Sequence, residues 1–220
     1  MLPETGNARA EILRRIAAAG GSQNPLTAEE VNDAQARLPH AYRMRGTMAR
    51  AGVLALFMYR LEDYGAGVKA CSAAEVEQTL SGMLQRRGVR RMALPGGFPV
   101  DWLPMQPEFL NAETLGARDL DQCDGVLTGA TVAIAETGTL VLQAVAGQGR
   151  RAVTLVPDYH LCVVRAADLV ETVPEAFLRL EPTKTLPTTF VSGPSATADI
   201  EMTRIKGVHG PRFLDVLLVK

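Results

Sequence analysis

Two stretches of the 220-residue chain concentrate hydroxyls, carboxylates and glycines more densely than a folding core requires. In the first, Gly125 to Thr139, apolar runs are interrupted by Thr128-Gly129 and by Glu136-Thr137-Gly138-Thr139. The second interruption brings one carboxylate, two hydroxyls and a glycine backbone into one turn. A tight hairpin needs the same residue types, with Gly138 at positive φ and Glu136 in water. In the second stretch, Val191-Ser192-Gly193-Pro194-Ser195-Ala196-Thr197-Ala198-Asp199 leads from an apolar run through a Gly-Pro turn into hydroxyls. The pattern predicts a short helix starting near Thr197, whose free N–H groups, with Ser195 and Thr197 beside them, suit a phosphate or a carboxylate. N-capping by either hydroxyl, with Asp199 in the first turn, explains the same residues. Gly207-Val208-His209-Gly210-Pro211 follows. Two glycines around a lone histidine let backbone approach a ligand closely, although a lone histidine is more often a hydrogen-bonded loop residue than a catalytic one.

Other candidates carry less. Asp158-Tyr159-His160 follows a proline and puts His160 either at a cleft rim or in a turn, and the basic cluster Arg86 to Arg91 could meet an anionic partner but more commonly marks a solvated helix end. There is no GxSxG elbow, no histidine pair at metal spacing, and no complete dinucleotide fingerprint around Gly65-Ala66-Gly67 or Gly147-Gln148-Gly149. Cys71, Cys123 and Cys162 lie dozens of residues apart, which argues against a disulfide framework and a thiolate cradle. The sequence therefore predicts no bound cofactor and no metal.

The elements that must position these residues fall into two groups. Apolar residues make up 47% and charged residues 21%, with a mean hydropathy of +0.05, enough to build a substantial core. Helical periodicity fills the first third: Glu11 to Ala19, a segment capped by Thr27 and Glu30 and ended by Pro39, Met44 to Tyr64, and a run opened by the Ser72/Glu75 capping box and closed at Gly88. Beyond it the pattern turns to strands at Arg90 to Pro95, Cys123 to Leu127, Thr131 to Ala135, Thr139 to Gln143, Ala152 to Val156, Leu161 to Arg165, Thr188 to Val191 and Phe213 to Val219, with a helix over Ala166 to Leu178. Continuously apolar strands such as Val216-Leu217-Leu218-Val219 are covered on both faces, which selects α/β. Phe98 to Pro107, holding the only tryptophan, reads as a long loop or flap. The expected organisation is a helical extension over residues 1–67 packed on an α/β domain over 68–220.

A balance of 23 basic against 24 acidic residues, net charge −1 and a pI near 6.3 leave no field for a polyanion, so no nucleic-acid partner is expected. The longest apolar run, Ala51 to Tyr59, is too short to cross a bilayer, and the N-terminus lacks a signal-peptide core, which makes the cytoplasm the expected location.

Taken together, Ala133-Ile-Ala-Glu-Thr-Gly-Thr-Leu-Val-Leu142 and Ser192-Gly-Pro-Ser-Ala-Thr-Ala-Asp-Ile-Glu201, with Gly207-Val-His-Gly-Pro211 six residues later, resemble the lactate-utilisation protein C family, or LUD-domain family. The resemblance covers roughly Val89 to Lys220. It implies a fold like that of sugar-phosphate isomerases and coenzyme A transferases, a mostly parallel sheet flanked by helices. It also implies a part in oxidising L-lactate to pyruvate beside partner proteins that carry iron-sulfur clusters. Related transferases use a glutamate near a glycine-rich turn as nucleophile, and Glu136 is the glutamate inside the first signature. Two readings follow. In one, the chain is a non-redox subunit that binds a small carboxylate or phosphate through Thr137, Gly138, Thr139, Ser192, Gly193, Ser195, Thr197 and Asp199. In the other, it is a stand-alone isomerase- or transferase-type enzyme that works through Glu136 or His209. Because electron transfer needs a cofactor that side chains cannot replace, the first is favoured. The polar segments are expected to gather at strand ends into one anion site.

Overall fold

A computed structural model describes residues 5–19, 27–38, 41–197, 205–207 and 209–220. The chain divides into two compact units, residues 1–42 and 43–220. In the first unit, α1 (Thr5–Ala19) is followed by α2 (Ala28–Ala36), which opens as the sequence predicts: the Thr27 hydroxyl accepts from Glu30 N–H while the Glu30 carboxylate accepts from Thr27 N–H.

The second unit begins with an irregular segment, and α3 runs only over Arg50–Asp63, shorter than the helix expected from Met44. The reason is local. Gly46 N–H donates to Glu175 and Met48 N–H to Glu171, so this backbone is bound to side chains across the fold and cannot close helical turns. On α3, Val53, Phe57 and Leu61 point into the core. There follow β1 (Gly67–Cys71), α4 (Val76–Arg87) behind the expected Ser72/Glu75 box, β2 (Arg91–Leu94), β3 (Glu108–Asn111), α5 (Ala117–Asp121), β4 (Gly125–Gly129), β5 (Val132–Ile134), β6 (Thr139–Gln143) and β7 (Tyr159–Arg165). The chain then makes β8 (Leu169–Val170), α6 (Val173–Leu180), β9 (Thr188–Ser192), β10 (Ala196–Thr197), β11 (Ile205–Lys206) and β12 (Phe213–Val219).

Six strands form one wholly parallel sheet in the order β1-β12-β7-β4-β2-β3, as an α/β chain with doubly covered strands should. Along β7 and β12 the side chains alternate between two cores. Cys162, Val164, Leu214, Val216 and Leu218 face α3 and a second sheet of order β8-β5-β6-β9, whereas Tyr159, Leu161, Val163, Leu217 and Val219 face α4. The second sheet packs its other side, Val132, Ile134 and Val141, on α6.

Two further expectations change. Ala152 to Val156 is not a strand: Arg151–Thr154 is a 3-10 turn that buries Val153 and Thr154, an apolar run too short for periodicity to separate the two. The helix expected over Ala166 to Leu178 is a 3-10 turn (Ala166–Asp168), then β8, then α6, whose start is set by the Thr172/Glu175 box and Pro174. Ala196 and Thr197 pair antiparallel with Lys206 and Ile205, and the helix expected to start near Thr197 would run into residues 198–204, outside the described residues. Among the described residues no helix is long and apolar enough to cross a membrane.

Candidate functional site

Because the main sheet is parallel, all its strands start on one side of the molecule, and β7 and β12 start beside the Gly-Pro turn that ends β9. Between them lies a cleft of about 240 Å³ lined by Ser192, Gly193 and Ser195, by His209 and Gly210, by Arg151 and Thr154 from the 3-10 turn, and by His160 and Leu214 at the strand starts. Backbone hydrogen bonds fix this wall: Ser195 N–H donates to Pro211 O at 2.9 Å, Gly207 N–H to Ser195 O at 3.0 Å, and His209 N–H to the Ser195 hydroxyl at 3.2 Å. Gly193 packs against Tyr64, where a Cβ would collide.

His160 forms the floor. It is 2% exposed, and its Nε2 lies 2.8 Å from the hydroxyl of buried Thr128. Burial, reinforced by the positive charge of Arg151, lowers its pKa to about 4, so the imidazole is neutral at physiological pH. On the same face of the strand burial pushes the Cys162 thiol up to about 12, far from a reactive thiolate. The cleft thus offers a cation, hydroxyls, backbone and a neutral imidazole, a set that fits a small anion with hydrogen-bonding groups.

The expected site residues distribute as follows. Ser192, Gly193, Ser195 and His209 share the cleft. Thr139, buried in β6, joins them through its hydroxyl, 2.7 Å from that of Ser192 and 2.7 Å from that of Thr137. Gly138 sits at φ +59 in the hairpin turn, pressed against Arg60 of α3. Glu136 is not part of the lining; its carboxylate accepts from Arg43 at 2.8 Å, and Arg43 also donates to buried Glu171 at 2.9 Å. The Thr197 backbone lies in β10, while Asp199 and the residues of the helix expected after Thr197 lie outside the described residues.

Sequence reasoning missed Thr128, Arg151 and Thr154 as site residues and left His160 open. A histidine and a threonine inside otherwise apolar strands were the available signal. Arg151 and Thr154 were hidden by the strand reading of the segment they occupy. Among the described residues no group of three or more His, Cys, Asp or Glu side chains is placed to hold a metal ion.

Residues 106–219 match the family model described as the LUD domain. Over 221 residues the chain is 40% identical to a protein of Deinococcus radiodurans named lactate utilization protein C, covering 99% of this chain and 98% of that one. A protein of the same name from an Exiguobacterium species is 28% identical over 234 residues, covering 100% and 99%. Among solved structures, a DUF162 family protein from Deinococcus radiodurans superimposes with a TM-score of 0.69 at 38% identity, over 79% of this chain and 100% of that one.

Proposed function

The chain belongs to the LUD-domain family, and from that premise we propose that it takes part in lactate utilization as a ligand-binding subunit, holding a small carboxylate or phosphate in the cleft beside His160. The observation that carries this reading is the convergence of Ser192, Ser195, His209 and Arg151 on one cleft floored by a buried, neutral histidine. In this reading the electrons of lactate oxidation pass to iron-sulfur partner proteins. Support comes from the thiols: Cys71, Cys123 and Cys162 are each buried in a different core cluster and do not form a four-thiolate cradle.

The competing reading, an isomerase- or transferase-type enzyme, draws support from His209 at the cleft wall. It draws less from Glu136, whose carboxylate is engaged by Arg43 outside the lining. The experiment is a tagged chain recovered from cells grown on L-lactate as sole carbon source, beside a deletion strain on the same medium. Co-purification of iron-sulfur proteins and loss of growth on deletion are expected. Recovery of the chain alone together with unchanged growth of the deletion strain overturns the proposal.

A further inference from the structure

We infer that a second binding site, for a small monocarboxylate, lies at the opposite end of the sheet, between the carboxyl ends of β2, β4 and β7. The topology points there first. From β2 the chain steps outward to β3, whereas from the adjacent β4 it proceeds the other way to β7, so the two loops leaving β2 and β4 diverge. In an open parallel sheet such a divergence leaves a crevice outside the carboxyl ends, where ligands bind. Here the crevice is a cleft of about 210 Å³ walled by three glycines, Gly129 at the end of β4 and Gly97 and Gly147 in loops, and by the aromatic rings of Phe98 and Trp102.

The glycine loops are rigid. Gly129 N–H donates to Gly147 O at 2.8 Å and Gly147 N–H to Gly96 O at 2.7 Å, while Gly97 takes φ +85 with no room for a Cβ beside Ala146. Backbone therefore stands open to the cleft where side chains would fill it.

A second, independent observation concerns Gln148, which lines the cleft and is 6% exposed. Its Oε1 accepts from Gln143 N–H at 2.8 Å and from the Thr131 hydroxyl at 3.0 Å. A backbone N–H can only donate, so the carboxamide cannot be flipped, and its Nε2 is left as a donor without a partner among the described residues. The charge comes from Arg165, at the end of β7. Its guanidinium lies over the Trp102 ring, 5.4 Å from the centroid, and has no carboxylate partner among the described residues. Asp168 lines the same cleft. The Asp168 carboxylate offsets the positive potential of Arg165, so a phosphate dianion gains little from the net charge of the cleft, whereas the Phe98 and Trp102 rings suit the carbon body of a small monocarboxylate whose head meets Arg165 and Gln148.

This site is separate from the cleft at the amino ends and stands or falls without it. Trp102 is the only tryptophan of the chain, so its fluorescence reports on this cleft alone. Acetate, L-lactate and pyruvate, titrated separately into the full chain, are the probes, with inorganic phosphate as the dianion. We expect a saturable Trp102 response to at least one monocarboxylate and a weaker one to phosphate. Arg165→Gln should weaken the monocarboxylate response about tenfold to a hundredfold, the effect of one charge-assisted contact. Asp168→Asn should strengthen it and admit phosphate, which loss of folding could not mimic. Arg151→Gln, in the other cleft, should leave it unchanged. The absence of any saturable response overturns the inference. So does a response that Arg165→Gln leaves intact, one that Arg151→Gln removes, or phosphate binding more tightly than every monocarboxylate. Melting curves of each variant establish that it is folded.

Discussion

At their amino ends β7 and β12 carry a polar side chain on each face, His160 on one and Asp215 on the other, and the two are satisfied to different degrees. Asp215 accepts from both Arg87 Nε and Nη2, at 3.2 and 2.9 Å, and from the Tyr159 hydroxyl at 2.9 Å. Arg87 itself lies over the Tyr159 and Phe213 rings. Burial, and then the negative charge of Asp215, drives the Tyr159 phenol well above its ordinary range, so it remains a donor at any physiological pH. His160 has one partner, Thr128, and its second ring nitrogen has none among the described residues. A saturated cluster is a structural device. Both groups line clefts, but the half-satisfied His160 retains hydrogen-bonding capacity for a ligand and the saturated Asp215 does not, which is why the candidate site is placed on the His160 face.

The comparison breaks most visibly at Asp215. Asp215→Ala strands a guanidinium and a phenol hydroxyl and should destabilise the fold by about 3–5 kcal/mol, read as a lowered denaturant midpoint at unchanged slope. Gly67→Ala should act in the same direction, because its Cβ would collide with the Asp215 carboxylate. A loss below about 1 kcal/mol in Asp215→Ala would mean that the cluster is solvated and the contrast between the faces is not real.

His160 offers the next largest effect, and it depends on pH. With a folded pKa near 4 against about 6.5 unfolded, the unfolded chain binds the extra proton between these values. The contribution is therefore complete above pH 6.5 and is lost as pH falls toward 4, at up to about 1.4 kcal/mol per pH unit. Denaturant unfolding of the wild type and His160→Gln across this window checks it: the difference between the two curves should shrink on acidification. Parallel curves would show that the imidazole is not held neutral.

These clusters also mark how much of the molecule could be read before its structure. The apolar run Val216 to Val219 announced a doubly covered strand, and Thr27/Glu30 and Ser72/Glu75 announced helix starts, because each signal lies within a few residues. The hairpin at Gly138 was legible for the same reason. Ala152 to Val156 was not, since a five-residue run with four apolar side chains suits a buried strand and a buried turn alike. Nor was the start of α3, which depends on Glu171 and Glu175 more than a hundred residues away. The cleft was half legible. Ser192, Ser195 and His209 stood out by composition, but Arg151, Thr128 and His160 join them only through strand order and register.

The smallest effect separates the two readings of function. Arg43 bridges a half-exposed carboxylate, Glu136 at 45% exposure, and a buried one, Glu171 at 5%. An ion pair in water is worth about 0–1 kcal/mol, so Glu136→Gln should shift stability by no more than that, with Arg43 still held by Glu171. Glu171→Gln should be costlier, because Glu171 also accepts from Met48 N–H inside the fold. On the subunit reading Glu136→Gln leaves growth on L-lactate near normal. If Glu136 were a nucleophile or general base, the same variant would lose function on the order of 100-fold or more with its melting temperature intact. His209→Asn is the parallel case at the cleft wall. As a binding contact it should weaken ligand affinity by about 1 kcal/mol, which excess ligand masks, whereas a catalytic histidine would abolish growth at any ligand concentration. Severe growth loss in both variants, with normal stability and normal partner capture, would replace the subunit by an enzyme. Near-normal growth in both would leave Arg43 as a structural bridge whose exposed arm contributes little and whose buried arm holds the segment leading into α3.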